Sequence, residues 1–174
     1  MKETNYLKSA IASSLIIILA SLIENAILSN IVYLPAVPDI CLICVIFISL
    51  QNGKIFGEAE GFFSGLCLDF LGACPFGLNC LYRTVIGYLA GIFHRVIGTE
   101  GIITPMLLVF VGSLAKALLL LIINILFPLI DMHFSPFTEV FLWELAENVV
   151  LGPVIFRLLR LFKKYIDART EAAS

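Results

Sequence analysis

Charge is scarce in this chain: 14% of its 174 residues are Asp, Glu, Lys or Arg, against 60% that are hydrophobic, and the mean hydropathy is +1.04. A soluble domain carries about 25% charged and roughly 45–50% apolar residues, so the composition excludes an ordinary water-soluble fold. Chemistry-bearing groupings are missing as well. There is no nucleophile set beside a base, no phosphate-binding glycine loop and no metal-ligand spacing, which points away from an enzyme and from a metal or cofactor. The two histidines, His94 and His133, lie at the ends of different apolar runs, too far apart in topology to share a metal. Basic residues are few and are not interleaved with exposed aromatics, so nucleic acid is excluded as a partner. No low-complexity or polar stretch is long enough for a second core, and residues 1–174 read as a single integral membrane domain.

What the chain has in quantity is apolar runs. A helix needs about 20 apolar residues to cross the hydrocarbon core of a bilayer. Spans are expected at about 8–29, 36–51, 55–72, 76–97, 103–129 and 136–161. The fold class is therefore an all-α membrane protein, a six-transmembrane-helix bundle joined by brief connections. Lys2 and Lys8 before the first run resemble a signal peptide, but no small-residue cleavage site with a polar mature segment follows, so an uncleaved first span is expected. The tail after Arg160 is polar and reads as a short amphipathic extension or a frayed end. The five cysteines lie in or beside the apolar segments. Cys41 and Cys44 have CxxC spacing, yet they sit among Ile, Val, Leu and Phe and read as small buried hydrophobes, while Cys74 and Cys80 leave an external disulfide open.

The basic residues set the orientation. With six spans, Lys2, Lys8, Lys54, Arg95, Arg157, Arg160, Lys163, Lys164 and Arg169 all fall on one side, none falls in the three loops opposite, and Arg83 and Lys116 lie within spans. Basic residues favour the cytoplasmic side, so both termini are expected there.

Ionisable groups inside a membrane need a partner, a wet cavity or a functional reason. Asp69 closes the third run and Arg83 opens the fourth, at similar depth in an antiparallel hairpin, so the two are expected to pair. Lys116 lies at the depth that Glu144 and Glu147 reach, with Asn148 on the same face, and is expected to meet one of those acids. Glu24, Glu139 and Glu147 are surplus acids without an assigned role, and Glu58 and Glu60 open the third run. Gly57, Gly61 and Gly65, with Ser64, form one small-residue stripe, and Gly87 with Gly91 a second. Such stripes let helix backbones approach closely in lipid. Pro35, Pro38 and Asp39 make a rigid entry to the second span, with Asp39 as its cap. Trp143 is placed as an interfacial anchor.

The order Pro35-x-x-Pro38-Asp39, then Gly57-x-x-x-Gly61-Phe62-x-x-Gly65-Leu66-x-x-Asp69, then Gly77-Leu78-x-x-Leu81 and Gly87-Tyr88-Leu89-x-Gly91, resembles the MreD family of rod shape-determining membrane proteins. The specific motif runs from Pro35 to Gly91, and the rest matches in layout. The resemblance implies a non-catalytic scaffold in the bacterial cytoplasmic membrane that binds the bitopic protein MreC. That complex would link MreB filaments to RodA and its penicillin-binding partner in peptidoglycan synthesis. The lipid bilayer is the other partner, and a homo-oligomer stays open. The family is also similar in fold to the substrate-binding S components of energy-coupling factor transporters. The alternative is therefore a vitamin-binding component that meets an ATPase module through small residues of its first helix, here Ser9, Ala12, Ser13 and Ala20.

Overall fold

The computed structural model describes residues 2–30, 35–72, 75–127 and 138–168. Cys74, His133 and Arg169 lie outside them, and with them the possible Cys74–Cys80 disulfide. The described residues form helices and no strand: α1 (Lys2–Leu22), α2 (Ile40–Asn52), α3 (Lys54–Leu71), α4 (Leu78–Ile92), α5 (Ile103–Leu126), α6 (Glu139–Leu161) and α7 (Lys163–Ile166). The stretch 6–30 and α5 are each long and apolar enough to cross a membrane, with mean hydropathies of 2.1 and 2.6.

The bundle is organised around α2. Every residue from Cys41 to Leu50 is buried, and α2 touches α1, α3, α4, α5 and α6. A helix that is apolar all round belongs in a core; Phe47 on α2 meets Phe156 on α6 edge to face, with ring centroids 5.2 Å apart. The outer helices follow one another as α1, α3, α4, α5 and α6. Their outward faces are apolar: Leu7, Ile11 and Leu15 on α1, Leu107 and Leu118 on α5, Val150 and Leu158 on α6 are all exposed. The inward face of α1, by contrast, carries Ser9, Ser13, Ala20 and Ser21, all buried. Wide apolar outer faces around an apolar core, with polar groups placed inside, depart from the arrangement of a soluble domain.

Helix boundaries differ from the expected spans where a specific contact ends or starts an element. The second helix begins only at Ile40, because Asp39 caps it by accepting from Leu42 N at 2.8 Å. Gly53 alone separates α2 from α3 at φ 95°, a conformation suited to glycine. The fourth helix stops at Ile92 rather than near 97; the following turn is fixed by His94 Nδ1, 2.7 Å from Leu50 O at the end of α2. The first helix passes into a π turn at Ile23–Ile27. The polar tail is docked as far as Ala168. Ser9 donates to Ile166 O, Asn52 Nδ2 donates to the same carbonyl at 3.1 Å, and Asn52 Oδ1 accepts from Ala168 N at 3.0 Å.

The glycine stripes join α3 to α4 backbone against backbone. A Cβ on Gly57 would strike Gly87 O, one on Gly61 would strike Arg83 O, one on Gly65 the backbone of Cys80, and one on Gly91 that of Lys54. The register is antiparallel and leaves no room for a methyl group at any of the four steps. Between α5 and α6 the fit is looser: Gly152 faces Val109 Cγ2 at 3.0 Å from where a Cβ would stand.

Candidate functional site

The polar centre of the bundle converges on Asp39. The segment before α2 brings this residue inside the ring of helices, where its side chain is 3% exposed. Arg83 from α4 donates to Asp39 Oδ1 at 2.6 Å, and Lys116 from the middle of α5 donates to Oδ2 at 2.8 Å. Lys116 also donates to Glu144 Oε1 on α6 at 2.6 Å. The backbone N–H of Asp39 donates to Asn148 Oδ1 at 2.7 Å, and Asn148 Nδ2 reaches Ser113 Oγ at 3.3 Å. Glu24, in the π turn that ends α1, accepts from Cys41 N at 3.0 Å and lies 3.9 Å from Arg83. Single π turns in helices are frequent at functional sites, and this one carries the acid that reaches α2. Tyr82 lies beneath both cations, with Arg83 Cζ 5.4 Å and Lys116 Nζ 5.8 Å from its ring centroid.

One network therefore ties α1, α2, α4, α5 and α6 together. Two cations share three acids, with Asp39 and Arg83 almost fully buried and Glu24, Lys116 and Glu144 12–15% exposed; a lone charge so deep in the bundle would be strongly disfavoured. The pairing is close but incomplete, since Arg83 Nε and Nη1 are buried without a hydrogen-bond partner among the described residues; among those residues no group of three His, Cys, Asp or Glu is arranged to hold a metal.

The expected Asp69–Arg83 pair is not formed. Asp69 instead accepts from Gly77 N at 2.9 Å, Asn79 N at 3.1 Å, Asn79 Nδ2 at 2.8 Å and Cys80 N at 3.3 Å. The start of α4 presents unpaired N–H groups, and an acid one helix away caps them. Arg83 lies further along α4 on the face toward α2, so it finds Asp39. Of the two acids expected opposite Lys116, Glu144 makes the contact; Glu147 Oε2 has no hydrogen-bond partner among the described residues. Pro38 is buried and Pro35 exposed, so the entry to α2 turns inward between them. Glu60 is buried against α1, with Ser14 Oγ at 3.4 Å from its carboxylate. Glu139 and Trp143 lie on the exposed surface of α6. Cys41 and Cys44 are buried free thiols, Cys41 Sγ resting 3.2 Å from Ser21 Oγ.

Sequence reasoning treated Asp39 as a cap and missed it as the hub. A signal was there: Asp39 is the only charged residue between Glu24 and Lys54, and an isolated acid in so apolar a stretch needs cations from elsewhere in the fold.

The profile of a family described as rod shape-determining protein MreD matches residues 8–162. No curated protein and no solved structure matches the chain, so the expected likeness to S components finds no counterpart. The small residues that such a component would offer to an ATPase module are largely enclosed, since Ser9, Ser13 and Ala20 are buried. With nearly all of its length matched, the chain belongs to the MreD family.

Proposed function

We propose that this MreD-family chain is a non-catalytic scaffold of the bacterial cell-elongation complex, crossing the cytoplasmic membrane six times with both termini inside. The family carries a role in rod shape determination, and the observation that supports a scaffold is where the bundle places its charges. Its charges are spent on one another at the centre, and its outer faces are apolar. Such a body offers rigid surfaces to other membrane proteins without a reacting group at any of them. Six spans rest on the nine-to-zero division of Lys and Arg between the two sides.

In this reading the partner is a bitopic protein of the MreC type, through which the bundle helps couple MreB filaments to RodA and its penicillin-binding partner. In a rod-shaped host, depleting the protein is expected to round the cells, and a mild-detergent pull-down is expected to bring a single-span MreC-like protein with it. Cells that keep their shape after depletion would overturn the proposal. Recovery of ATPase subunits instead of an MreC-like protein would assign the chain to transport.

A further inference from the structure

A groove of about 820 Å³ runs between α5 and α6 at the end where α5 begins and α6 finishes. Its walls are apolar, with Met106 from α5 and Val150 and Val154 from α6. Its mouth is not. Arg157 and Arg160, three residues apart and so on one side of α6, both line it, together with Gly101 and Ile102 at the start of α5. No side chain caps that helix, so the N–H groups of Ile103 and Thr104 lack an intrahelical acceptor. The positive end of a 24-residue helix thus stands beside two guanidinium groups. Arg160 Nε is buried without a hydrogen-bond partner among the described residues, and neither arginine meets an acid among them. Glu100, the nearest acid along the chain, does not line the groove.

We propose that this groove binds an anionic phospholipid, its phosphate held by Arg157, Arg160 and the first turn of α5 and its acyl chain lying along Met106, Val150 and Val154. Charge complementarity selects the occupant. A free phosphate would leave the apolar walls uncovered, and an apolar helix of a partner would leave two cations and a helix start without an anion. The inference requires only that α5 and α6 stand in a bilayer with this end at its surface, so it is independent of MreC binding.

The test is thermal unfolding of the purified full chain in neutral detergent with phosphatidylglycerol, phosphatidylcholine or inorganic phosphate added, with bound lipid counted by native mass spectrometry. Phosphatidylglycerol raises the unfolding temperature and is retained as an adduct, whereas phosphatidylcholine and phosphate do neither. The Arg157→Gln/Arg160→Gln variant weakens the preference for the anionic lipid by on the order of tenfold or more. Lys163→Gln/Lys164→Gln, which removes two exposed cations of the same end outside the groove, keeps it. Val154→Trp, at an exposed position, fills the groove with both arginines in place and also removes the preference, which decides the matter if the arginine variant does not fold. Equal stabilisation by phosphatidylcholine or by phosphate, or a preference that survives Val154→Trp, overturns the proposal. Loss of lipid preference leaves the depletion phenotype untouched, so the two readings fail separately.

Discussion

Asp39 illustrates how much one residue can be asked to hold when water is absent. Its two carboxylate oxygens answer Arg83, Lys116 and the first turn of α2, and its backbone N–H answers Asn148. Removing one partner of a buried charge pair leaves the other uncompensated, at a cost of about 3–5 kcal/mol. Asp69 performs a smaller task, since a helix cap contributes about 1 kcal/mol. Asp39→Ala is therefore expected to lower both abundance and unfolding temperature more than Asp69→Ala, as read by immunoblot and by thermal unfolding in detergent. The reverse order would mean that Arg83 relies on Asp69 after all. The sequence brought Asp39, Asp69 and Arg83 forward, and Asp39 does cap α2 as expected, but it paired Arg83 with Asp69 instead of Asp39. Depth along a hairpin can be counted from residue numbers, whereas the side of α4 on which Arg83 emerges depends on how α4 packs against α2.

At the level of the elements, the α3–α4 hairpin is set by what is missing from its side chains. Gly57, Gly61, Gly65 and Gly91 each lie against backbone of the facing helix, which cannot yield as a side-chain end can. Gly112 is different, because a Cβ there meets chiefly Ile46 Cδ1, the far end of a flexible side chain. Gly61→Leu should prevent accumulation of folded protein, by overpacking that costs at least about 1–3 kcal/mol. Gly112→Ala should be nearly neutral. Comparing the folded fraction of the two variants by size-exclusion chromatography checks this, and a well-folded Gly61→Leu protein would place that face against lipid. The stripe itself was legible from a four-residue repeat. That its partner is the second stripe follows from the short Gly72–Gly77 connection, which forces α3 and α4 to be antiparallel neighbours.

For the whole molecule, the six-span reading makes a prediction about sides. Phe76, between α3 and α4, is exposed, as are Lys54 at the start of α3 and Glu100 in the connection from α4 to α5. In intact cells a membrane-impermeant maleimide should label Phe76→Cys, and it should label Lys54→Cys and Glu100→Cys only after permeabilisation. The test is made with Cys74, which lies outside the described residues, replaced by Ser; the other native cysteines are buried or half-buried and give little background. Labelling of all three from the same side would end the six-span reading. The same architecture explains why α2, one of the most apolar helices, is shorter than each of the five around it. Enclosed by five helices, it never has to span lipid on its own; it has to carry Asp39 to the centre.

The sequence by itself determined the class of the protein, its family and the division of its charges. Those depend on composition, on ordered motifs and on which loops carry Lys and Arg, all local properties of the chain. Only the tertiary structure decided that α2 is the core, that Asp39 takes both Arg83 and Lys116, and that Asp69 serves the start of α4. The physical reason is that a buried charge is matched by whichever opposite charge the packing brings within about 3 Å. Among five helices around a sixth, that choice depends on rotation about each helix axis, and a run of Leu, Ile and Val on every side of a membrane helix does not encode it.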